Sequence, residues 1–318
     1  MKRVLWLIAL CVVLGALPRF ASAQTCTASP SALSFGNVSP IALSTVNATG
    51  SVTVQCTWPA ITLTPSVQVC LNMNGTTPRA MANGTSQLQY NLYQDAAYSI
   101  PWGSTTLGTT PISLILNKPA TDTTASATVN FYGQILGNQP TVPTVNNAST
   151  PYSQLVSQTS LNYGYYLLLA PGCAALTTSN GSFSFTASAT VVNNCLISTT
   201  NIAFTSTGVL SSALSATGSV TARCTNGDAY EIALSGGSSG NVGARQMQRS
   251  GGGGAVNYQL YTDSGHTHAW GDGTGSTVMS TGTGTGNPVS IPVYGRVPAQ
   301  TTPMPGSYSD TITATISF

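Results

Sequence analysis

The chain has 318 residues, of which 42% are hydrophobic and only 5% charged, with nine Lys or Arg against seven Asp or Glu. Charge this sparse leaves no basic patch for nucleic acid and no polybasic segment for a membrane surface. Its polar surface must be built from Ser, Thr, Asn, Gln and Gly, while the apolar share can fill the cores of two domains.

The chain opens with Lys2-Arg3, an apolar run over residues 4–17, and the small residues Ala21-Ser22-Ala23. This order predicts a secretory signal over 1–23, cut before Gln24. A membrane anchor is the weaker reading, because the run is short for a span and ends in Pro18-Arg19. Removing Lys2, Arg3 and Arg19 leaves six basic residues against seven acids, a net charge of −1 for the exported chain. Cys11 leaves too, so Cys26, Cys56, Cys70, Cys173, Cys195 and Cys224 remain. An even set in an exported chain predicts disulfides rather than a metal centre.

Beyond the signal the chain repeats itself. Leu33-Ser34-Phe35 and Thr49-Gly50-Ser51-Val52-Thr53-Val54-Gln55-Cys56 follow Cys26 as Ile202-Ala203-Phe204 and Thr217-Gly218-Ser219-Val220-Thr221-Ala222-Arg223-Cys224 follow Cys195. Tyr90-Asn91-Leu92-Tyr93 and Trp102-Gly103 return as Tyr258-Gln259-Leu260-Tyr261 and Trp270-Gly271, and Phe131-Tyr132-Gly133 returns as Val293-Tyr294-Gly295. Both copies consist of short alternating runs rich in Val, Ile, Thr and Tyr, broken by Gly, Pro, Asn and Ser. That pattern predicts an all-β chain of two sandwiches, over 24–192 and 193–318. The repeat pairs Cys26 with Cys56 and Cys195 with Cys224, and elimination leaves Cys70 for Cys173.

The copies diverge at their ends. The second finishes on an alternating strand over 308–318, whereas the first continues past the equivalent stretch, turns at Pro171-Gly172-Cys173 and returns over 183–192. The first copy is therefore expected to be closed by a strand that the second lacks. A sandwich short of one strand exposes unpaired backbone and an apolar groove, which recruits a strand from elsewhere. If the terminal strand keeps its period, Ile312, Ala314, Ile316 and Phe318 face that groove, with residues 196–204 along its other side.

These anchors, together with Val293-Tyr294-Gly295-Arg296-Val297-Pro298 and Gly306-Ser307-Tyr308-Ser309-Asp310-Thr311, resemble the spore coat protein U domain family. That family includes the pilin-type subunits of archaic, Csu-type chaperone–usher pili. The likeness covers the mature chain twice and is looser in the first copy, where Gln134 and Leu136 stand in for Arg296 and Pro298. It implies immunoglobulin-like, pilin-type sandwiches, the C-terminal one lacking its last strand. A periplasmic pilus chaperone would lend that strand, an outer-membrane usher would assemble the fibre, and the N-terminal strand of an adjacent subunit would replace the loan. Only Gln24 and Thr25 would precede Cys26, too little to donate a strand. The resemblance thus implies a two-domain tip adhesin used for attachment and biofilm formation on an abiotic or host surface. The alternative is a secreted coat or fibre subunit without a dedicated binding site.

Three loops of the first copy are more apolar than their counterparts and are the candidate contact residues: Trp58, Pro59, Ile61 and Leu63; Tyr98, Ile100 and Pro101; Pro140, Val142, Pro143 and Val145. The bland reading is that Trp58, Ile61 and Leu63 cap the core or pack on the second domain. For catalysis the chain offers little. His266 and His268 lack a convincing third ligand besides Asp263 or Asp272, the cysteines are committed, and Glu231 has no carboxylate partner. Neither an enzyme nor a cofactor is expected.

Overall fold

The computed structural model describes residues 24–318; the signal expected over 1–23 lies outside the described residues. The first half carries β1 (Cys26–Pro30), β2 (Leu33–Val38), β3 (Val46–Thr57), β4 (Ser66–Met73), β5 (Arg79–Asn83), β6 (Ser86–Tyr93), β7 (Ile112–Asn117), β8 (Thr124–Ile135), β9 (Thr150–Val156), β10 (Thr159–Tyr166) and β11 (Phe185–Val191). The second carries β12 (Cys195–Thr199), β13 (Leu214–Cys224), β14 (Ala229–Leu234), β15 (Arg245–Arg249), β16 (Ala255–Tyr261), β17 (Ser280–Thr283), β18 (Val289–Val297), β19 (Tyr308–Ser309) and β20 (Ala314–Ser317). The expected all-β class holds.

Each half packs a large sheet on a three-stranded one. The first has the orders β1-β3-β8-β6-β5-β9-β11-β2 and β10-β4-β7; the second has β12-β13-β18-β16-β15-β19 and β17-β14-β20. Alternation explains the long strands: along β3, Ala48, Gly50, Val52, Val54 and Cys56 are buried and the residues between them are not. One buried core lies within residues 26–191 and another within 210–297. Disulfides join Cys26–Cys56, Cys195–Cys224 and Cys70–Cys173.

The repeat extends to single hydrogen bonds. The Trp102 indole donates to the Leu71 carbonyl and the Trp270 indole to that of Ile232, each at 2.8 Å. The Tyr90 hydroxyl donates to Gln154 Oε1 at 2.6 Å and the Tyr258 hydroxyl to Asp310 Oδ2 at 2.7 Å. These pairs put the two halves in register, so that β9 corresponds to 306–312 and β2 to 202–207.

The halves differ at one strand position. In the first, β11 lies between β9, to which it runs antiparallel, and β2, to which it runs parallel. Its inward residues Phe185, Ala187, Ala189 and Val191 are all buried. Phe185 and Val191 contribute roughly 1.5–3 kcal/mol each by burial. In the second, no strand of the described residues follows β19 in the sheet, and the stretch expected as a strand over 196–204 ends at Thr199. The reason is plain in the first half: β2 pairs only with β11, so without that neighbour its counterpart has no ladder to join.

The β3–β8 ladder runs from Val46 opposite Ile135 to Thr57 opposite Thr124, about 36 Å at roughly 3.3 Å per residue. At the Ile135 end, residues 136–149 cross to the second half. The Asn147 side chain accepts from the Ala229 amide at 2.9 Å and donates to its carbonyl at 3.0 Å, as a strand neighbour would. Asn226 Nδ2 donates to the Thr141 carbonyl at 2.7 Å, and the Thr144 amide to the Asn226 carbonyl at 3.2 Å. The Thr144 hydroxyl donates to Asp228 Oδ1. Gly286 must be glycine: its φ is +76°, and a Cβ there would come within 1.7 Å of the Pro140 carbonyl oxygen.

Candidate functional site

Where β11 would have its counterpart, the second half carries a groove of two adjoining cavities, about 460 Å³ and 620 Å³. Ile202, Ala203, Phe204, Met247 and Tyr308 line both; Val220, Leu260 and Val293 floor one, and Leu214, Val256 and Val297 the other. Ile312 and Ala314 line the smaller cavity. Ile316 packs on the same core further along, opposite Ile232. Phe318 does not face the groove: β20 ends at Ser317 opposite Glu231, and the ring beyond it is exposed.

The rim of the groove is held by charge-assisted hydrogen bonds. Asp310 accepts from the Tyr258 hydroxyl and, at 2.7 and 2.6 Å, from the amide and hydroxyl of Ser238. Burial pushes its carboxyl up, but these bonds together outweigh it and hold it below the usual range. Burial, reinforced by Asp310, pushes the Tyr258 phenol well up. Beneath them Arg245 is fully buried, donating to the carbonyls of Ser235 and Leu234 at 2.9 and 3.1 Å and to Gln259 Oε1.

The three apolar loops of the first half do not gather. Ile61 and Leu63 sit at the end of β3 far from the junction and are 91% and 83% exposed. Pro59 beside them is half-buried. Trp58 is a correction: its ring is buried in the core, edge-on to Tyr165, and its indole donates to the Thr64 carbonyl at 3.1 Å. Tyr98, Ile100 and Pro101 lie on the flank. Tyr98 packs edge-on against Tyr93 and Tyr132, eight positions along β8 from Thr124, and Asp95 caps the turn by accepting from the Ile100 amide at 2.7 Å.

The third loop is the larger correction. It lies at the junction, the opposite end from Ile61. Val142 is buried in the first core, and Pro140 and Pro143 are half-buried against the second half; only Val145 is exposed. The loop is apolar because it fills an interface.

One element escaped the sequence reading. Tyr166 ends β10 opposite Ser66, and Leu167, Leu168 and Leu169 follow at the same end as Ile61, with Leu168 91% and Leu169 86% exposed. The Tyr165 hydroxyl donates to the Thr57 carbonyl at 2.7 Å, tying this loop to the end of β3. Three leucines in a row break the period of 2, and that break was the available signal. The end therefore presents two separate apolar loops, far more exposed bulk than a scatter of single residues.

The histidines build no centre. Asp263 caps its own turn, accepting from the amides of Thr267 and His268, and His268 Nδ1 stands 3.5 Å from it. Those bonds hold the Asp263 carboxyl down at about 2. Among the described residues no three His, Cys, Asp or Glu converge as metal ligands would.

Comparison with known proteins matches this architecture. The profile of the Spore Coat Protein U domain fits residues 16–167 and again 181–315. Protein U of Myxococcus xanthus is 34% identical over 108 residues, 32% of this chain and 59% of that protein, so the chain spans less than two thirds of this relative. Among solved structures, the CsuC–CsuE chaperone–tip adhesion subunit pre-assembly complex of the archaic Csu pili of Acinetobacter baumannii aligns over 92% of this chain and 100% of that one. Its TM-score is 0.52 at 15% identity, a likeness of fold. With both halves matched by the same profile and built on the same hydrogen-bond scheme, the chain belongs to the spore coat protein U domain family.

Proposed function

We propose that this chain is the tip subunit of a surface fibre assembled by the chaperone–usher route, and that it makes contact through the apolar end of its first domain. The observation that carries the reading is the asymmetry between the copies: one strand position is filled by β11 in the first and is a groove in the second. A domain with an open, apolar strand position needs a strand from outside, and the tyrosine–aspartate rim of this one supplies polar contacts beside it. A periplasmic chaperone provides that strand first, and the N-terminal strand of an adjacent subunit replaces it at an outer-membrane usher. The first domain, already closed, accepts none, which suits the last position of a fibre.

The contact surface is Ile61, Leu63 and Leu167–Leu169, at the opposite end of the domain from the junction. Apolar side chains so exposed suit an abiotic or otherwise greasy surface, and attachment through them would support biofilm formation. The test is attachment of cells bearing fibres that carry Leu168→Asp with Ile61→Asp, scored beside immunogold counts of this chain. Attachment should fall at least tenfold with fibres still assembled and labelled at one end. Unchanged attachment removes the contact surface from the proposal, and label along the whole fibre favours a coat or shaft subunit instead.

A further inference from the structure

The first domain supplies a template for what the second domain's groove accepts. This inference rests on the donor-strand reading of that groove. In the first domain the occupant is known residue by residue: Phe185 lies opposite Val156, Ala187 opposite Gln154, Ala189 opposite Tyr152 and Val191 opposite Thr150. Counting from the shared tyrosine bond, which equates Gln154 with Asp310, the same positions in the second domain are Ile312, Asp310, Tyr308 and Gly306.

Both middle residues of that occupant, Ala187 and Ala189, are buried. Ala187 sits between Leu33 and Gln154, and the Tyr90 ring that Gln154 holds meets Phe35 edge-on at 5.8 Å. The second domain repeats this enclosure: Asp310 holds Tyr258, whose ring meets Phe204 edge-on at 6.4 Å. A longer side chain there would have to displace an aromatic pair and the hydrogen bond that positions it. The first position is different. Phe185 stacks on Trp102 and lies 4.9 Å from Phe131. Trp270 is retained in the second domain, but Val293 stands in place of Phe131 and lines the smaller cavity. The groove is roomier at that point, where the occupant is already largest.

We propose that the groove selects a partner strand that runs in the direction of β11, antiparallel to β19, with inward side chains ordered large or aromatic, small, small, β-branched. The partner is thus an extended segment of another chain in which two alanine-sized residues, two apart, follow an aromatic one. Each inward position reads size rather than charge.

The test titrates the oxidised full chain with a synthetic peptide of its own residues 183–192 and follows the second domain's unfolding by calorimetry. The native peptide should raise that transition in a concentration-dependent way. Peptides carrying Ala187→Leu or Ala189→Leu should bind at least tenfold more weakly, as should the reversed sequence, whereas Phe185→Trp should bind as well as the native peptide. Equal binding of the leucine peptides overturns the size order while leaving the groove as a strand acceptor, and equal binding of the reversed peptide overturns the direction. If neither this peptide nor any other alternating apolar peptide shifts the transition, the donor-strand reading itself fails.

Discussion

Asp228 is fully buried at the junction, and only one of its carboxylate oxygens has a partner: Oδ1 accepts from the Thr144 hydroxyl while Oδ2 has none. No cation among the described residues pairs with it. Burial pushes its carboxyl up from the ordinary 3.8, against the smaller opposing pull of Thr144. Because the folded value lies above the unfolded one, its contribution is complete below about pH 3.8 and is lost as pH rises through the raised folded value. Asp228→Asn keeps an acceptor at Oδ1 and removes the charge. It should melt with the unaltered chain at pH 3.5 and above it at pH 8, by up to about 1–3 kcal/mol, the cost of a buried group without a partner. Parallel pH dependences in calorimetry would deny Asp228 this role. Asp310 behaves oppositely despite its own burial, because four donors satisfy it: the Tyr258 hydroxyl, the Ser238 hydroxyl and the amides of Ser238 and Thr311.

At the level of strands, the difference between the two halves reduces to β11. A fragment over 24–192 should unfold cooperatively, and one over 24–182 should not, since it lacks the strand that fills the first core; calorimetry on the two separates them. Indistinguishable transitions would mean that β11 is an ornament on an already closed sandwich. Much of this was legible beforehand, because a strand buries every second residue and a duplication displays the same choice twice. The closing strand, the groove-facing Ile312 and Ala314, and the two repeat disulfides all follow from period and alignment. Loops obey no period, so an apolar residue in one can point either way. Trp58 and Val142 share their apolar character with Ile61, yet the first two fill cores and the last does not. Leu167–Leu169 went unread for the opposite reason: they continue a strand whose pattern promised burial. The failure at 200–204 has another cause, since strand propensity there is present and only the neighbour is absent.

Across the whole molecule, the apolar end and the groove lie in different halves, and everything between them is a joint. Residues 136–149 bond to the second half through Thr141, Thr144 and Asn147, while Asn194 Nδ2 donates back to Ser39 Oγ at 3.3 Å. β11 is also the chain that leads out of the first core, reaching Cys195 through only three intervening residues, Val192, Asn193 and Asn194. Under the proposed function, a pull exerted by a fibre on the second half, against a surface gripped at the far end of the first, would draw β11 along its own length. Its hydrogen bonds to β9 and β2 are loaded side by side and must give way together, rather than one after another as in a strand peeled from its end. Stretching single molecules between Leu168 and the second half should accordingly need several times the force of stretching β11 sideways from its sheet; comparable forces would contradict that geometry. The strand that completes the first domain is thus also its rivet, and the same seven residues that make the fold self-sufficient make it hard to tear.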